Sequence, residues 1–188
     1  MAVIDSRSPG YLQPQETHDD PIDVIRQFVS ELTGLDPKVV RRRWLQKPGT
    51  HPGVSVDWAS VAVEGITSWG WPESLRHRGT LRKPESGYDK KRTHQTLRCS
   101  VWFYGPNALR IADDFREGAC LSQNFDTLQS AGLTIQGVDD TIRRIPDFVA
   151  EQWVDRFEVV FRLGRQISRT YGIRTISGFS GVELYPNK

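Results

Sequence analysis

The sequence predicts an α/β domain of the α+β kind, a mainly antiparallel twisted sheet with helices packed on it. Three stretches carry that expectation. From Thr93 to Tyr104, Cys99, Val101 and Phe103 alternate with Trp102 and Tyr104, so both faces of the strand are apolar and it belongs in the middle of a sheet. From Trp153 to Tyr171, Phe157, Val159, Phe161, Leu163 and Ile167 alternate with Arg156, Glu158, Arg162, Gln166 and Ser168, the period of a long strand with one buried and one wet face. After Pro106, residues Ala108, Ile111, Ala112, Phe115 and Ala119 recur at helical spacing, with Arg110, Asp113, Asp114, Arg116 and Glu117 turned to solvent.

The remaining elements follow in chain order. Residues 1–20, rich in Pro, Gly, Ser, Gln and Asp, hold little that fills a core and are expected to form an extended N-terminal arm, leaving 21–188 as a single domain. Asp20 caps the first helix, Pro21 sits at its favoured first position, Ile22, Ile25, Phe28, Val29 and Leu32 make one apolar stripe, and Gly34 ends it. Between Leu35 and Pro52 two readings stay open, a helical turn at Asp36-Pro37-Lys38 and an edge strand at Arg41–Trp44.

Val54–Trp69 reads as a strand that breaks at Gly70-Trp71-Pro72, before a basic, hairpin-like region reaching Arg92. Behind the helix at Pro106 a short second helix is expected through Phe125 and Leu128 to Gly132. A brief strand at Leu133–Gln136, a turn at Asp139–Arg144 and a closing hairpin between Ile173 and Tyr185 complete the expectation.

At 188 residues the chain is long enough to bury roughly 70% of the surface it would expose unfolded. Its 25 Lys and Arg against 23 Asp and Glu exclude a global basic field, so any electrostatic function is local. Cys99 and Cys120 have neither metal nor redox spacing and are expected to be buried, reduced thiols. No apolar run approaches the roughly 18 residues of a membrane span, and Met1-Ala-Val-Ile lacks a signal peptide's basic flank, which predicts a soluble protein made in a reducing cytoplasm.

The motifs of catalysis are missing. Gly105-Pro-Asn-Ala-Leu-Arg has one glycine and a proline that removes an amide donor, so it turns a corner and does not cradle a phosphate. His18, His51, His77 and His94 form no i,i+4 pair and no metal-ligand spacing. The Asp113-Asp114 and Asp139-Asp140 pairs lie in polar segments with adjacent side chains pointing apart, and no nucleophile motif appears. The expectation is a protein that is not an enzyme and binds no cofactor or metal.

What stands out is charge in patches. Arg76, Arg78, Arg82, Lys83, Lys90, Lys91, Arg92 and Arg98 form a cationic hairpin opposed by Glu85 and Asp89. Arg41, Arg42 and Arg43 form a second basic cluster, and Asp113, Asp114 and Glu117 an acidic helix face. Copies docking head to tail through such patches close into a ring when the rotation permits. Two alternatives remain open: ordinary solvated faces, and a DNA-binding accessory module using residues 76–98 with Trp69, Trp71 and Tyr88 stacking beside the cations.

A series of landmarks bears on the choice. Asp57-Trp58 followed by Gly65-Ile66-Thr67, the corner Phe103-Tyr104-Gly105-Pro106, Gln123-Asn124 before Leu128, and Pro146 before Glu151-Gln-Trp-Val-Asp-Arg156 resemble, in order and spacing over about residues 21–175, the neck and tail-terminator proteins of tailed bacteriophages. The resemblance implies a structural virion protein for head–tail joining and tail completion, with a small α/β fold whose copies form a ring, usually of six. That ring caps the tail tube, meets the head-side connector or adaptor protein, has the tail sheath as a further neighbour, and surrounds DNA that passes without specific binding. It further implies a place at the virion neck after assembly in the bacterial cytoplasm. On that reading Arg82, Lys83, Lys90, Lys91 and Arg92 reach a neighbouring subunit or the channel, Arg41, Arg42 and Arg43 meet Asp113, Asp114 and Glu117 across subunits, and the arm ties onto an adjacent ring.

Overall fold

In a computed structural model the structure describes residues 11–16, 18, 20–44, 52–78, 87–149 and 151–173. By contact the chain divides into two compact units, one of residues 1–18, 70–93 and 167–188, the other of residues 19–69 and 94–166. The architecture is mixed α+β, as the three sequence patterns require. Its elements are α1 (Ile22–Thr33), β1 (Val40–Arg42), β2 (Trp58–His77), β3 (Tyr88–Tyr104), α2 (Ala108–Gly118), α3 (Asp126–Ser130), β4 (Leu133–Val138), β5 (Arg143–Val149) and β6 (Gln152–Gly172). The strands form one six-stranded sheet in the order β1-β2-β3-β6-β4, with β5 also paired to β6. β1 joins β2 in parallel, while β4 and β5 run antiparallel to β6. Side-chain contacts such as Arg98 with Glu64 and Trp69 with Thr96 advance along β3 as they recede along β2, which makes that pair antiparallel too.

In the larger unit, the face of β3 and β6 carrying Leu97, Cys99, Val101, Phe103, Val159, Phe161 and Leu163 is buried beneath the apolar stripes of α1 and α2. Phe115 of α2 is the hub, its ring 6.1 Å from that of Phe28, 5.7 Å from Phe103 and 5.6 Å from Phe161. Tilted and edge-on pairs like these add about 0.5–1.5 kcal/mol each beyond burial. α1 begins where Asp20 accepts the Ile22 N–H (3.1 Å) and ends where the Gly34 N–H donates to Ser30 O (2.9 Å), as its sequence signals predict. α2 buries Ala108, Ile111, Ala112, Phe115 and Ala119, the whole predicted stripe. Asn124 Nδ2 donates to Gly118 O (2.9 Å) at the end of α2, and Leu128 of α3 is buried.

Three expectations change. β2 does not break at Gly70-Trp71-Pro72 but continues to His77. Gly70 takes a positive φ of 63°, and Pro72 is tolerated because, among the described residues, nothing pairs with that side of the strand. Pro146 lies inside a strand, β5, where a turn was expected to run straight into Ile145-Pro146; among the described residues β5 pairs with β6 alone, so the missing N–H again falls at an edge. The second face of β6 is not wet throughout, because Glu158 and Val160 are buried. Leu35–Arg43 resolves in favour of both readings, a turn at Pro37–Val39 followed by the short strand β1.

In the smaller unit Gln15 N–H donates to Thr170 O (2.9 Å), the Glu16 carboxylate accepts the Thr170 N–H and hydroxyl, and the His18 ring contacts Ser168 O (2.8 Å). Part of the expected arm therefore hydrogen-bonds along the end of β6. The closing hairpin expected between Ile173 and Tyr185 lies, beyond Ile173, outside the described residues, as do Arg82 and Lys83 at the tip of the basic hairpin. Among the described residues no helix is long and apolar enough to cross a membrane.

Candidate functional site

Two of the landmarks, Asp57-Trp58 and the Phe103–Pro106 turn, meet at one corner of the larger unit, with Gln152–Asp155 close by. β3 ends at Tyr104, and Gly105, with φ +109°, turns the chain into α2. A Cβ at Gly105 would lie 2.5 Å from Asp57 Oδ1 and 2.6 Å from Val56 O, so the segment 56–57 leading into β2 approaches closer than any side chain permits. That approach has a use. Asp57 Oδ1 accepts the Asn107 N–H (2.9 Å) and Oδ2 accepts Asn107 Nδ2 (2.8 Å), capping α2 from a distant segment where its own N-cap residue supplies no side-chain bond. Next to them Trp58 and Tyr104 stack face to face, centroids 4.1 Å apart and planes within 3°. Burial pushes the Tyr104 hydroxyl pKa up, and that hydroxyl contacts Asp147 Oδ2 (3.4 Å).

On the sheet face opposite the helices, Trp102 is sandwiched between two guanidinium groups, Arg43 at 3.3 Å from the ring centroid and Arg156 at 3.7 Å. Such desolvated cation–π contacts are worth about 2 kcal/mol. Carboxylates hold the cations in place. Arg43 Nη1 donates to Glu64 Oε1 (3.1 Å), Arg98 Nε to Glu64 Oε2 (3.2 Å) and Arg156 Nη1 to Asp147 Oδ2 (3.1 Å). Trp102 Nε1 donates to Glu158 Oε1 (2.8 Å), whose other oxygen pairs with Arg143 (3.1 Å). Burial favours the neutral form of Arg43 and lowers its pKa. For Glu64, burial opposes ionisation, but the bonds from Ser100, Arg43 and Arg98 outweigh it and hold the carboxyl below its ordinary range. Each acid is held by cations already committed to it, which is the arrangement of a structural network and not of an acid–base pair poised to exchange protons.

Apolar side chains reach the surface beside the corner. A shallow groove runs past Val54, Gly105, Pro106 and Leu109 to Gln152–Asp155 and Phe157. At the β5–β6 hairpin, Phe148 and Trp153 pack on each other with centroids 5.2 Å apart, yet stay 59% and 74% exposed. Two contacting aromatics thus stay open at a hairpin beside a groove of mixed polar and apolar lining.

The predicted interface residues fall in separate places. Arg42 pairs with Asp23 (2.5 Å) and Asp20 (3.6 Å), and Arg43 lies in the Trp102 stack, so the cluster Arg41, Arg42, Arg43 divides within its own chain. Asp113 and Glu117 face Arg116, and Asp114 pairs with Arg110 (3.0 Å). In the smaller unit Lys91 pairs with the buried Asp89 (3.4 Å), Arg92 with Glu73 (3.3 Å), and Lys90 is half-buried. A hydrogen bond from Ser74, helped by Lys91 and Arg76, holds the Asp89 carboxyl low. Cys99 is buried as expected, whereas Cys120 is exposed, which corrects the expectation for that residue. Among the described residues no group of His, Cys, Asp and Glu is arranged to hold a metal.

Sequence reasoning missed Asp57 as a cap, Glu64 and Glu158 as the anchors of an arginine stack, and the exposed pair Phe148 and Trp153. Only the last left a local signal, two large aromatics on either side of a turn at a segment otherwise rich in charge.

No curated protein matches the chain. Comparison with protein families matches residues 19–187, nearly the whole sequence, to the phage neck terminator protein family, and that span includes every landmark gathered at the Gly105 corner and the β5–β6 hairpin. The chain therefore belongs to the phage neck terminator proteins, structural components of the neck of tailed bacteriophages.

Proposed function

We propose that copies of this chain form a ring, of six subunits as the family resemblance implies, that caps the tail tube and joins it to the head-side connector. The observation that carries the reading is the family match over residues 19–187 together with the exposed apolar corner that its landmark residues build. A subunit of such a ring needs a firm core and lateral surfaces, and this chain has an aromatic core around Phe115 and an uncovered aromatic pair at Phe148 and Trp153. In the ring, Arg82, Lys83, Lys90, Lys91 and Arg92 serve docking between proteins more than contact with DNA, since cations gripping phosphates would hold a strand that must slide. The DNA-binding alternative gains no support, because Arg76, Lys91, Arg92 and Arg98 face carboxylates of their own chain.

The test is a phage carrying a nonsense mutation in this gene. Filled heads and separate tails are expected to accumulate and to join when purified protein is added, with density for the ring at the neck by electron microscopy. Normal virions without the protein would refute the reading. Reversing Lys90, Lys91 and Arg92 to Glu tests the hairpin alone, and unimpaired joining would remove its docking role.

A further inference from the structure

The two edges of the sheet differ, and both lie open in the larger unit. On one side β1 covers β2 only from Ala59 to Val61, and among the described residues β2 beyond Val61 has β3 as its sole neighbour. The Ala59 N–H donates to Val39 O (3.2 Å) and Val61 O accepts the Arg43 N–H (2.9 Å), so the odd residues of β2 direct their backbone groups toward β1. The two-residue period of a strand then points the N–H and C=O of Val63 and Gly65 at the uncovered side. On the other side of the sheet, among the described residues, β4 pairs with β6 alone. Unpaired edges are templates for another strand.

The chemistry flanking the two edges is complementary. Past the end of β1, a groove runs along β2 between Val61–Ile66, Arg42–Trp44 and the start of α1 at Asp20–Ile22. The Arg43 side chain in its wall is 6% exposed, and its Nε and Nη2 have no hydrogen-bond acceptor. Those two nitrogens are closed to solvent as well, so what the groove offers an incoming acid is the cationic charge of Arg42 and Arg43 along its wall and not a bare donor. β4 leads directly into Asp139-Asp140. Asp139 is taken by Arg162 (2.9 Å), whereas the exposed Asp140 carboxylate has no ion pair among the described residues.

We infer that the β2 edge of one subunit receives the β4 edge of a second copy of this chain, with Asp140 of that copy set against the Arg43 wall of the groove. The contact joins unlike edges, so each added copy presents the same open edge again, and the series closes when the rotation per subunit divides a full turn. The inference rests on the ring reading and adds which strands make it.

Gly65 allows a clean test. A Cβ there meets nothing within 4 Å, so Gly65→Ala keeps the outward N–H and Gly65→Pro removes it without disturbing the side facing β3. Self-association of the full chain is measured by sedimentation, alone and on tail tubes lacking the protein. The alanine variant is expected to assemble like the wild type and the proline variant at least about tenfold more weakly. In parallel, Gly65→Cys is combined with Thr134→Cys or Gln136→Cys in a Cys120→Ser background, and oxidation is expected to give a ladder of linked subunits only when both partners are present. Rings that form equally well with Gly65→Pro and give no ladder overturn the edge pairing and leave the ring standing. A wild-type chain that stays single both alone and on tube ends overturns both.

Discussion

Replacing Gly105 by Ala asks whether the corner is held by a real close approach. The substitution imposes two separate penalties. An L-residue at φ +109° carries about 1–2 kcal/mol of backbone strain. The new Cβ also meets Asp57 Oδ1 at 2.5 Å, Val56 O at 2.6 Å and Asp57 Cα at 2.7 Å, two of them backbone atoms that cannot swing aside. Pushing that segment away costs about 1–3 kcal/mol of overpacking and withdraws the Asp57 cap from Asn107, worth about 1 kcal/mol more. Together these predict a loss of about 3–6 kcal/mol. Gly132→Ala separates the penalties, because Gly132 has a φ of +71° but nothing within 4 Å of the added carbon, so only the strain of about 1–2 kcal/mol applies. Urea unfolding of both variants at neutral pH provides the comparison. Equal losses for the two would show that the approach of residues 56–57 to Gly105 is not the tight contact described, and the account of how α2 is capped would fall with it.

Three further outcomes are expected. Glu64→Gln leaves Arg43 short of its main carboxylate and lowers stability by about 2 kcal/mol by chemical denaturation, less than for a fully buried pair because part of Glu64 is open to water. Since the folded Glu64 carboxyl sits below its ordinary value of 4.5, its contribution is fully present above that pH and is lost as pH falls through the lower folded value, so the gap between wild type and Glu64→Gln narrows in acid. Burial pushes the Cys99 thiol up to about 12 while Cys120 is exposed, so a thiol reagent at neutral pH should label the native protein once, at Cys120, and twice after unfolding, as read by mass spectrometry. Phe148→Ala with Trp153→Ala should change unfolding free energy by only about 0.5 kcal/mol yet sharply reduce head-to-tail joining in a complementation assay, since both rings are mostly exposed.

How much of this was legible depended on whether the controlling contact was local. The apolar alternation on both faces placed β3 in the centre, and the stripe from Ala108 to Ala119 placed α2 on the sheet, because those patterns are set by the residues' own spacing. β2 and β5 were misjudged because Pro72 and Pro146 signal breaks only in strands paired on both sides, and pairing is a property of the whole sheet. The run Arg41-Arg42-Arg43 looked like one patch. In the fold, neighbouring strand positions point opposite ways, so Arg42 turns to Asp23 on α1 and Arg43 to Trp102 on β3. No window of sequence contains those partners together.

The same arginines explain why the larger unit needs no second helical layer. A sheet face crossed by Trp58, Trp102 and Tyr104 would ordinarily demand cover, since those rings bring large apolar areas. Here the cover is the arginine side chains themselves, whose guanidinium planes lie on Trp102 while Glu64, Asp147 and Glu158 neutralise them. A face sealed by charged groups is soluble alone and offers little apolar area to a partner. Exposed apolar side chains in this unit include Val54, Leu109, Phe148 and Trp153 around the corner, alongside Trp44, Ile66, Trp69 and Leu121 elsewhere. On the ring reading proposed above, a sheet face closed by ion pairs beside a small aromatic contact would let a subunit stay single in solution and still bind firmly at the tube end. Docking at that contact would bury the two rings without dismantling the arginine stack, so assembly would add to the folding free energy of the subunit instead of drawing on it.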